Sequence, residues 1–262
     1  MNIILFKLLA TPFFIGSATL AGRRWGPVVN GLIVGLPLTT GPISFILASQ
    51  YGRVFATQAA AGNLAGQVSM CIFCLTYSLL AQKRSWLVSA LLAVAAYLAA
   101  TFMLNRLSWS LFPAFAVLMV AILLVSLVIP KQPTAHMQAT PPKWDLPARM
   151  GIATAFVIAL TTFANVLGPQ LSGLISTFPI FGVIFAAFTH FQQGPRAVAN
   201  LLRGIVLGSL SYAFFFLSVG VCLVPLGLAA TYAIALGAAL AVSAVSYFFT
   251  QIGQRIENGE TC

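Results

Sequence analysis

Acidic residues are almost absent from this chain. Among its 262 residues only three are Asp or Glu, against 13 Lys or Arg. The three acids are Asp145, Glu257 and Glu260, and all of them fall in segments that the hydropathy pattern predicts to be a linker or a tail. No carboxylate is therefore predicted inside a long apolar block, and this disfavours coupling of transport to protons or sodium through a buried acid.

The few acids, histidines and cysteines also argue against an enzyme. A Ser, Cys or metal mechanism needs a base with an orienting acid, or a cluster of ligands, and the two His and four Cys show no zinc-binding spacing. Cys71 and Cys74 form a C-x-x-C motif, but they lie in an apolar block, where thiols behave as small hydrophobic groups. We predict no enzymatic activity, no metal site and no cofactor.

Apolar residues, by contrast, are abundant. They make up 60% of the chain, and the mean hydropathy of +0.99 is far above that of a soluble domain. About 20 apolar residues in a helix cross a hydrocarbon layer of about 30 Å, and the alternating strands of a membrane barrel are missing. The pattern predicts an all-α integral membrane protein. Nine blocks are predicted to span: 3–21, 28–49, 55–80, 86–104, 109–129, 149–167, 170–191, 198–223 and 228–250.

The sequence repeats itself at an offset of 142 residues without a gap. Thirteen of the positions from 26 to 76 are identical to positions 168 to 218, and seven of the thirteen are Gly or Pro. Reuse of these two residue types indicates a shared backbone geometry more than shared hydrophobicity. The same offset matches Lys7 with Arg149 and Phe14 with Phe156, so the first block is predicted to be a retained helix and not a cleaved signal peptide.

The number of crossings predicts that the two copies are inverted. Five blocks precede the linker, so the second copy starts an odd number of crossings after the first, and this arrangement is typical of secondary transporters. The predicted organisation is a first repeat over 1–108, an extra inverting helix over 109–129, a Pro-rich linker over 130–147, a second repeat over 148–252 and a tail over 253–262.

The basic residues predict the orientation, because Lys and Arg in short loops are retained on the cytoplasmic side. One face carries Arg23, Arg24, Lys83, Arg84, Lys131, Lys143, Arg149, Arg196, Arg203 and Arg255, and the other holds only Lys7, Arg53 and Arg106. We predict a multi-pass protein of the bacterial inner membrane with its N-terminus outside and its C-terminus in the cytoplasm. The net charge of +10 then indicates contact with anionic lipid head groups and not nucleic-acid binding.

Short motifs in both copies resemble a known family. Gly173-Leu174-Ile175, Phe178-Pro179 and Gln193-Gly194 are similar to the second-helix signature of GlpM-like bacterial inner-membrane proteins, and the first copy repeats it as Gly31-Leu32-Ile33, Leu36-Pro37 and Tyr51-Gly52. The resemblance implies two four-helix units fused through an added helix. Where the family is expected to have an acid after helix two, this chain has Gln50-Tyr51 and Gln192-Gln193. The resemblance implies a fold and a location but no substrate.

The broken character of predicted helices two and seven is the strongest functional signal. Pro37, Gly41 and Pro42 are predicted to interrupt helix two, and Phe178-Pro179 with Gly182 to interrupt helix seven. Half-helix ends at mid-membrane present backbone groups to a substrate, although proline kinks are also common in membrane helices that bind nothing. The substrate-binding candidates at these breaks are Pro37, Thr39, Thr40, Pro42, Ser44, Ser176, Thr177 and Pro179.

Three other polar positions complete the candidate site. Asn63 and Gln67 share a side of helix three, where their amides serve either as links between helices or as pathway lining. His190 is predicted near the external end of helix seven, as a gate or as an interfacial residue bonded to backbone. Gly62–Gly66 and Gly204–Gly208 form G-x-x-x-G motifs and are predicted to be sites of close helix packing.

Two functions from different classes are compatible with these features. The first is a carrier or exporter that moves a small neutral, amphipathic or anionic solute between the inverted repeats. The second is a non-catalytic membrane subunit that binds a partner protein or lipid, with the repeats serving only for packing. The predicted partners are membrane lipids and a small solute, with no nucleic acid, and a homo-oligomer is compatible with the sequence.

Overall fold

A computed structural model describes residues 3–38, 40–129, 144–155 and 178–257. All regular structure within those ranges is helical. The helices are α1 (Ile3–Trp25), α2 (Pro27–Val34), α3 (Thr40–Tyr51), α4 (Arg53–Ala81), α5 (Trp86–Leu104), α6 (Leu111–Val128), α7 (residues 145–155), α8 (Ile180–Leu226) and α9 (Leu228–Glu257). Five of them are long and apolar enough to cross a membrane: α4, α5, α6, α8 and the Leu228–Thr250 part of α9. The prediction of a helical multi-pass membrane protein is confirmed at this level.

Predicted helix two is divided into two short helices. α2 ends at Val34, α3 begins at Thr40, and the residues around Pro37 are not helical. In the break the amide of Leu38 donates to the carbonyl of Leu36 at 2.8 Å, and the amide of Gly41 donates to that of Pro37 at 2.9 Å. The interruption is thus a compact turn that satisfies part of its own backbone, as buried irregular backbone in a membrane must.

The second copy has the same turn at the matching residues. Ile180 donates to the carbonyl of Phe178 at 2.8 Å, and Val183 donates to that of Pro179 at 2.9 Å. These are the bonds of Leu38 and Gly41 shifted by 142 positions, so the same proline turn precedes α3 and α8. The residues of predicted helix seven before Phe178 lie outside the described residues. Three other residues that were predicted to interrupt lie instead in first helical turns: Gly41 and Pro42 in α3 and Gly182 in α8. The missing amide of Pro42 costs no helical hydrogen bond at that position.

Helix α8 doubles back on itself. Its 47 residues would extend about 70 Å if straight, but Gly194 has φ 83° and ψ −176° and divides it into a proximal arm (residues 180–193) and a distal arm (residues 195–226). Gly52, the matching residue, has φ 89° and ψ 167° between α3 and α4. A left-handed φ with an extended ψ is tolerated only by glycine. In both copies the chain therefore changes direction at a glycine corner, Gly52 in the first and Gly194 in the second.

Glycines bring α2 into backbone contact with the distal arm of α8. A Cβ added to Gly35 would lie 2.7 Å from the Cα of Gly208, and one added to Gly31 would clash with the backbone around Gly204. Because the contact pairs Gly31 with Gly204 and Gly35 with Gly208, the two segments run in the same direction. The packing role predicted for Gly204 and Gly208 thus has a partner in α2. A Cβ added to Gly62 or Gly66 would meet nothing within 4 Å among the described residues, so close packing at these two glycines stays a prediction.

Helix α4 packs against both arms of α8. In the proximal arm Gly182 lies against Met70, and His190 packs on Tyr77. Residue numbers rise together along both helices, so this arm runs parallel to α4. Along the distal arm the order reverses, since the hydrogen-bond partner of Gln67 is Ser209 and that of Asn63 is further along the arm. The distal arm therefore runs antiparallel to α4, its counterpart in the first copy.

Two predicted boundaries are wrong. The first turn of α7 includes residues 145–147, which were predicted to be linker, and α9 continues to Glu257 through residues 253–257, which were predicted to be tail. Both errors come from charged or proline residues at helix ends, where helices tolerate them. Thr39, Ser176, Thr177 and the linker residues 130–143 lie outside the described residues.

Candidate functional site

Five polar side chains meet where α3, α4 and the distal arm of α8 come together, and we call them the polar layer: Thr40, Asn63, Gln67, Ser209 and Tyr212. The Gln67 amide donates to Ser209 Oγ at 2.8 Å, and the Tyr212 hydroxyl donates to Asn63 Oδ1 at 3.3 Å. Ser209 is fully buried and Tyr212 nearly so. Amides within a span need such partners, and the structure brings together the predicted candidates Thr40, Asn63 and Gln67.

The Gln67–Ser209 hydrogen bond joins two residues that are 142 positions apart. They are therefore counterparts in the two copies. A residue that touches its own counterpart lies on or near the axis that relates the copies, so the polar layer occupies the centre of the duplicated structure. At an axial position a single solute can contact equivalent parts of both copies at once.

The start of α3 adjoins the polar layer. Thr40, the first residue of α3, lies beside Tyr212, and its Oγ1 is buried without a hydrogen-bond partner among the described residues. Phe178, next to the start of α8, contacts Tyr97 of α5 with ring centroids 6.0 Å apart. Helix N-termini carry partial positive charge, so the start of α3 brings such an end to a layer that holds amides and hydroxyls but no charged side chain.

The remaining candidates of the first copy lie around this centre. Pro37 is buried in the break itself, and Pro42 is half-buried in the first turn of α3. Ser44 bonds at 2.7 Å to the hydroxyl of Tyr232 on α9, so it ties α3 to α9 and does not join the polar layer. Pro179, the counterpart of Pro37, precedes α8 and is half-buried.

His190 lies elsewhere. Its ring packs on Tyr77 at 5.9 Å, and the next residue, Phe191, packs on Trp86 at 6.1 Å. These contacts place it near the Lys83-Arg84 loop, at the end that carries most of the basic residues, and not at the opposite, external end where the sequence was expected to put it. His190 is buried and its Nδ1 has no partner among the described residues, but it does not belong to the polar layer.

Asp145 corrects another expectation. It was assigned to a solvated linker, yet it is 1% exposed and accepts hydrogen bonds from Arg149 at 2.8 Å, Arg23 at 3.0 Å and Gln192 at 2.6 Å. This charged cluster ties together α1, α7 and the proximal arm of α8. We call the region around the cluster and the Lys83-Arg84 loop the basic end.

The pKa of Asp145 lies below its ordinary value of 3.8. Burial on its own would raise it, but the hydrogen bonds from Arg149 and Gln192 and the charge of Arg149 outweigh that effect and favour the carboxylate. Asp145 is thus ionised at neutral pH. Two arginines face one carboxylate, so the cluster retains a net positive charge.

A groove with a volume of about 440 Å³ opens on the outer side of the proximal arm. It extends from the break at Phe178 to the basic end, and all of its lining side chains are apolar: Trp86, Trp144, Ile152, Phe178, Ile180, Val183, Ile184, Ala187, Phe188 and Phe191. The groove was not predictable from any one segment of the sequence, because its wall combines α5, α7 and α8. Spacing by three and four residues along α8 was the available signal.

Comparison with known protein families, with curated proteins and with solved structures gave no match. The resemblance to GlpM-like proteins therefore stays a prediction.

Proposed function

We propose that this protein is a secondary carrier or exporter that moves a small neutral, amphipathic or anionic solute through the polar layer. The central observation is that the same proline turn precedes α3 and α8, and that Thr40 at the start of α3 adjoins a hydrogen-bonded layer in which a residue touches its own counterpart. Discontinuous helices at a repeat interface are the best pointer to a transporter site that a sequence offers.

The proposal includes an inverted relation between the copies and nine membrane crossings. Helix directions support the inversion: α2 runs parallel to the distal arm of α8, whereas α4, the counterpart of that arm, runs antiparallel to it. If the two copies had the same orientation, α4 would run parallel to the distal arm and α2 would run antiparallel to it. The excess of basic residues at one end supports a cytoplasmic location for that end, and the resemblance to GlpM-like proteins supports a bacterial inner membrane.

The chemistry of the polar layer limits the solute. Amides, hydroxyls and helix N-termini bind neutral polar groups and anions, while no carboxylate is present to hold a cation. Tyr212 adds aromatic surface to the layer, which fits a solute with an apolar part. We therefore expect an amphipathic solute, neutral or with one anionic group.

Labelling of two matched positions tests the inversion. Tyr51→Cys and Gln193→Cys occupy counterpart positions at the helix corners, and each is introduced after replacement of the four native cysteines. In intact cells a membrane-impermeant maleimide should label Tyr51→Cys, and it should label Gln193→Cys only after the membrane is opened. Labelling of both positions from the same side would contradict the inverted arrangement.

Ligand stabilisation and uptake test the transport function. In detergent a true ligand at a hundredfold excess over its Kd should stabilise the protein by about 2.7 kcal/mol, so a panel of neutral, amphipathic and anionic metabolites is screened by melting temperature. Hits are then tested for uptake into proteoliposomes. Gln67→Leu and Asn63→Leu should reduce both signals, whereas Ser126→Ala, on an α6 side chain that bonds only to its own helix, should not. A panel with no stabilising compound would contradict the proposal.

A non-catalytic membrane subunit is the second candidate. The long apolar groove favours it, because contiguous apolar concavities bind partners. Capture of a defined partner subunit, abolished by a groove-filling substitution but not by Gln67→Leu, would support this alternative over the carrier.

A further inference from the structure

We propose that the apolar groove along the proximal arm of α8 is a specific binding site for an anionic phospholipid of the leaflet at the basic end. The groove would hold one acyl chain, and the basic residues at its mouth would bind the phosphate. This site is distinct from the polar layer and does not depend on the transport function.

The dimensions of the groove match one leaflet. From Phe178 to Phe191 the arm extends about 20 Å at 1.5 Å per residue, and half of a hydrocarbon core is about 15 Å. The groove starts at the break and ends at the basic end, so a chain lying in it would run from the level of the break to the interface. Its volume of about 440 Å³ is that of a small-molecule site, which exceeds the ordinary roughness of a lipid-facing helix.

Tryptophans mark the mouth of the groove. Trp86 and Trp144 line it at the basic end, and both remain partly exposed, at 39% and 53%. Trp side chains concentrate at the level of lipid head groups because one edge is apolar and the other donates a hydrogen bond. Their position indicates where the acyl chain ends and the head group begins.

Charge at the mouth selects an anionic head group. Lys83 and Arg84 are exposed in the turn just before Trp86, and the arginine–aspartate cluster beside Trp144 retains a net positive charge. The Arg149 guanidinium also lies 4.9 Å from the ring of Phe188 in the groove wall, which links the charged cluster to the apolar slot. The one acid in this region, Asp145, is already bonded to Arg149, Arg23 and Gln192, so it does not repel a phosphate.

Native mass spectrometry of the purified full chain tests the site with two lipid probes, phosphatidylglycerol and phosphatidylcholine of the same acyl composition. Wild type should retain one phosphatidylglycerol in strong preference to phosphatidylcholine. Ala187→Trp, which fills the groove, should lose the retained lipid, while Ala116→Trp on the exposed face of α6 is the matched control and should keep it.

A charge variant on exposed residues keeps the fold and tests the head-group contact separately. With about 1 kcal/mol for each basic residue near an anionic surface, Lys83→Gln with Arg84→Gln should reduce the preference for phosphatidylglycerol roughly 30-fold. Arg106→Gln, at the other end of α5, should leave it unchanged. Equal retention of the two lipids by wild type, or retention by Ala187→Trp equal to that of Ala116→Trp, would overturn the proposal. A dimer that Ala187→Trp abolishes would also overturn it, in favour of a second copy as the occupant.

Discussion

Helix α4 and the distal arm of α8 occupy matching positions in the two copies, yet their polar content differs. α4 presents Asn63 and Gln67 to the polar layer, whereas the counterparts of these residues in α8 are Ile205 and Ser209. The amides of the first copy are bonded to hydroxyls of the second, at Tyr212 and Ser209. The two copies share the same backbone turns and glycine spacing, but the first supplies the amides of the polar layer and the second supplies hydroxyls. The centre is therefore symmetric in its backbone and asymmetric in its side chains.

The first helices of the copies differ even more. Asp145 and Arg149 of α7 correspond to Ile3 and Lys7 of α1, so the equivalent positions of the first copy hold no acid. Only the second copy can form the buried ion pair that fastens its first helix to α1 and to the proximal arm. An ion-pair cluster therefore stabilises the basic end, and the equivalent residues of the first copy cannot form one.

The largest expected effect comes from breaking this cluster. Asp145→Ala leaves Arg149, itself 3% exposed, without its carboxylate, and removal of one partner of a buried pair costs about 3–5 kcal/mol. The melting temperature in detergent should fall accordingly. Asp145→Asn combined with Arg149→Met removes both charges and should cost much less. Equal losses for the single and double variants would show that the charge pairing is unimportant.

The second expected effect tests the glycine contact between the copies. Gly208→Leu places a side chain against the backbone of α2, which cannot move aside easily, and overpacking of this kind costs about 1–3 kcal/mol. Gly237→Leu on the exposed side of α9 should be neutral or stabilising, because Leu is a better helix former than Gly. A melting temperature unchanged by Gly208→Leu would exclude close packing of α2 on α8.

The third effect is the coupling between counterpart residues. A double-mutant cycle of Gln67→Leu and Ser209→Ala should give a coupling energy of about 0.6 kcal/mol, the average for interhelical hydrogen bonds in membranes. The cycle isolates the pair because each single substitution removes the same bond. Additive effects of the two substitutions would show that the residue pair at the centre does not hold the copies together.

The smallest expected effect is acid sensitivity. Because the folded pKa of Asp145 is depressed below 3.8, its contribution to stability is fully present above the unfolded pKa and is lost as the pH falls through the folded one. Unfolding measured by a melting scan should therefore be unchanged from pH 7 to about pH 5 and become easier below about pH 4. The Asp145→Asn variant should lose this acid dependence, and a decline at pH 6 that survives in the variant would assign the effect to another group.

Features that depend on local backbone were predictable from the sequence. The breaks at Pro37 and Pro179 and the corners at Gly52 and Gly194 follow from residues that restrict or widen φ, and their repetition at one offset made the inference firm. Burial of Asp145 was not predictable in this way. A lone acid near prolines has the composition of a linker, and only the approach of Arg23 and Gln192 from distant helices makes its burial favourable.

The sequence by itself determined that this chain is a helical membrane protein built from two copies of one unit, because hydropathy and proline-glycine spacing act through neighbouring residues. Only the tertiary structure decided which residues meet: Gln67 with its own counterpart, His190 with Tyr77 at the basic end, and an apolar groove whose walls come from three helices. Such contacts join residues far apart in the chain, and their free energy depends on helix directions and close packing that no local pattern encodes.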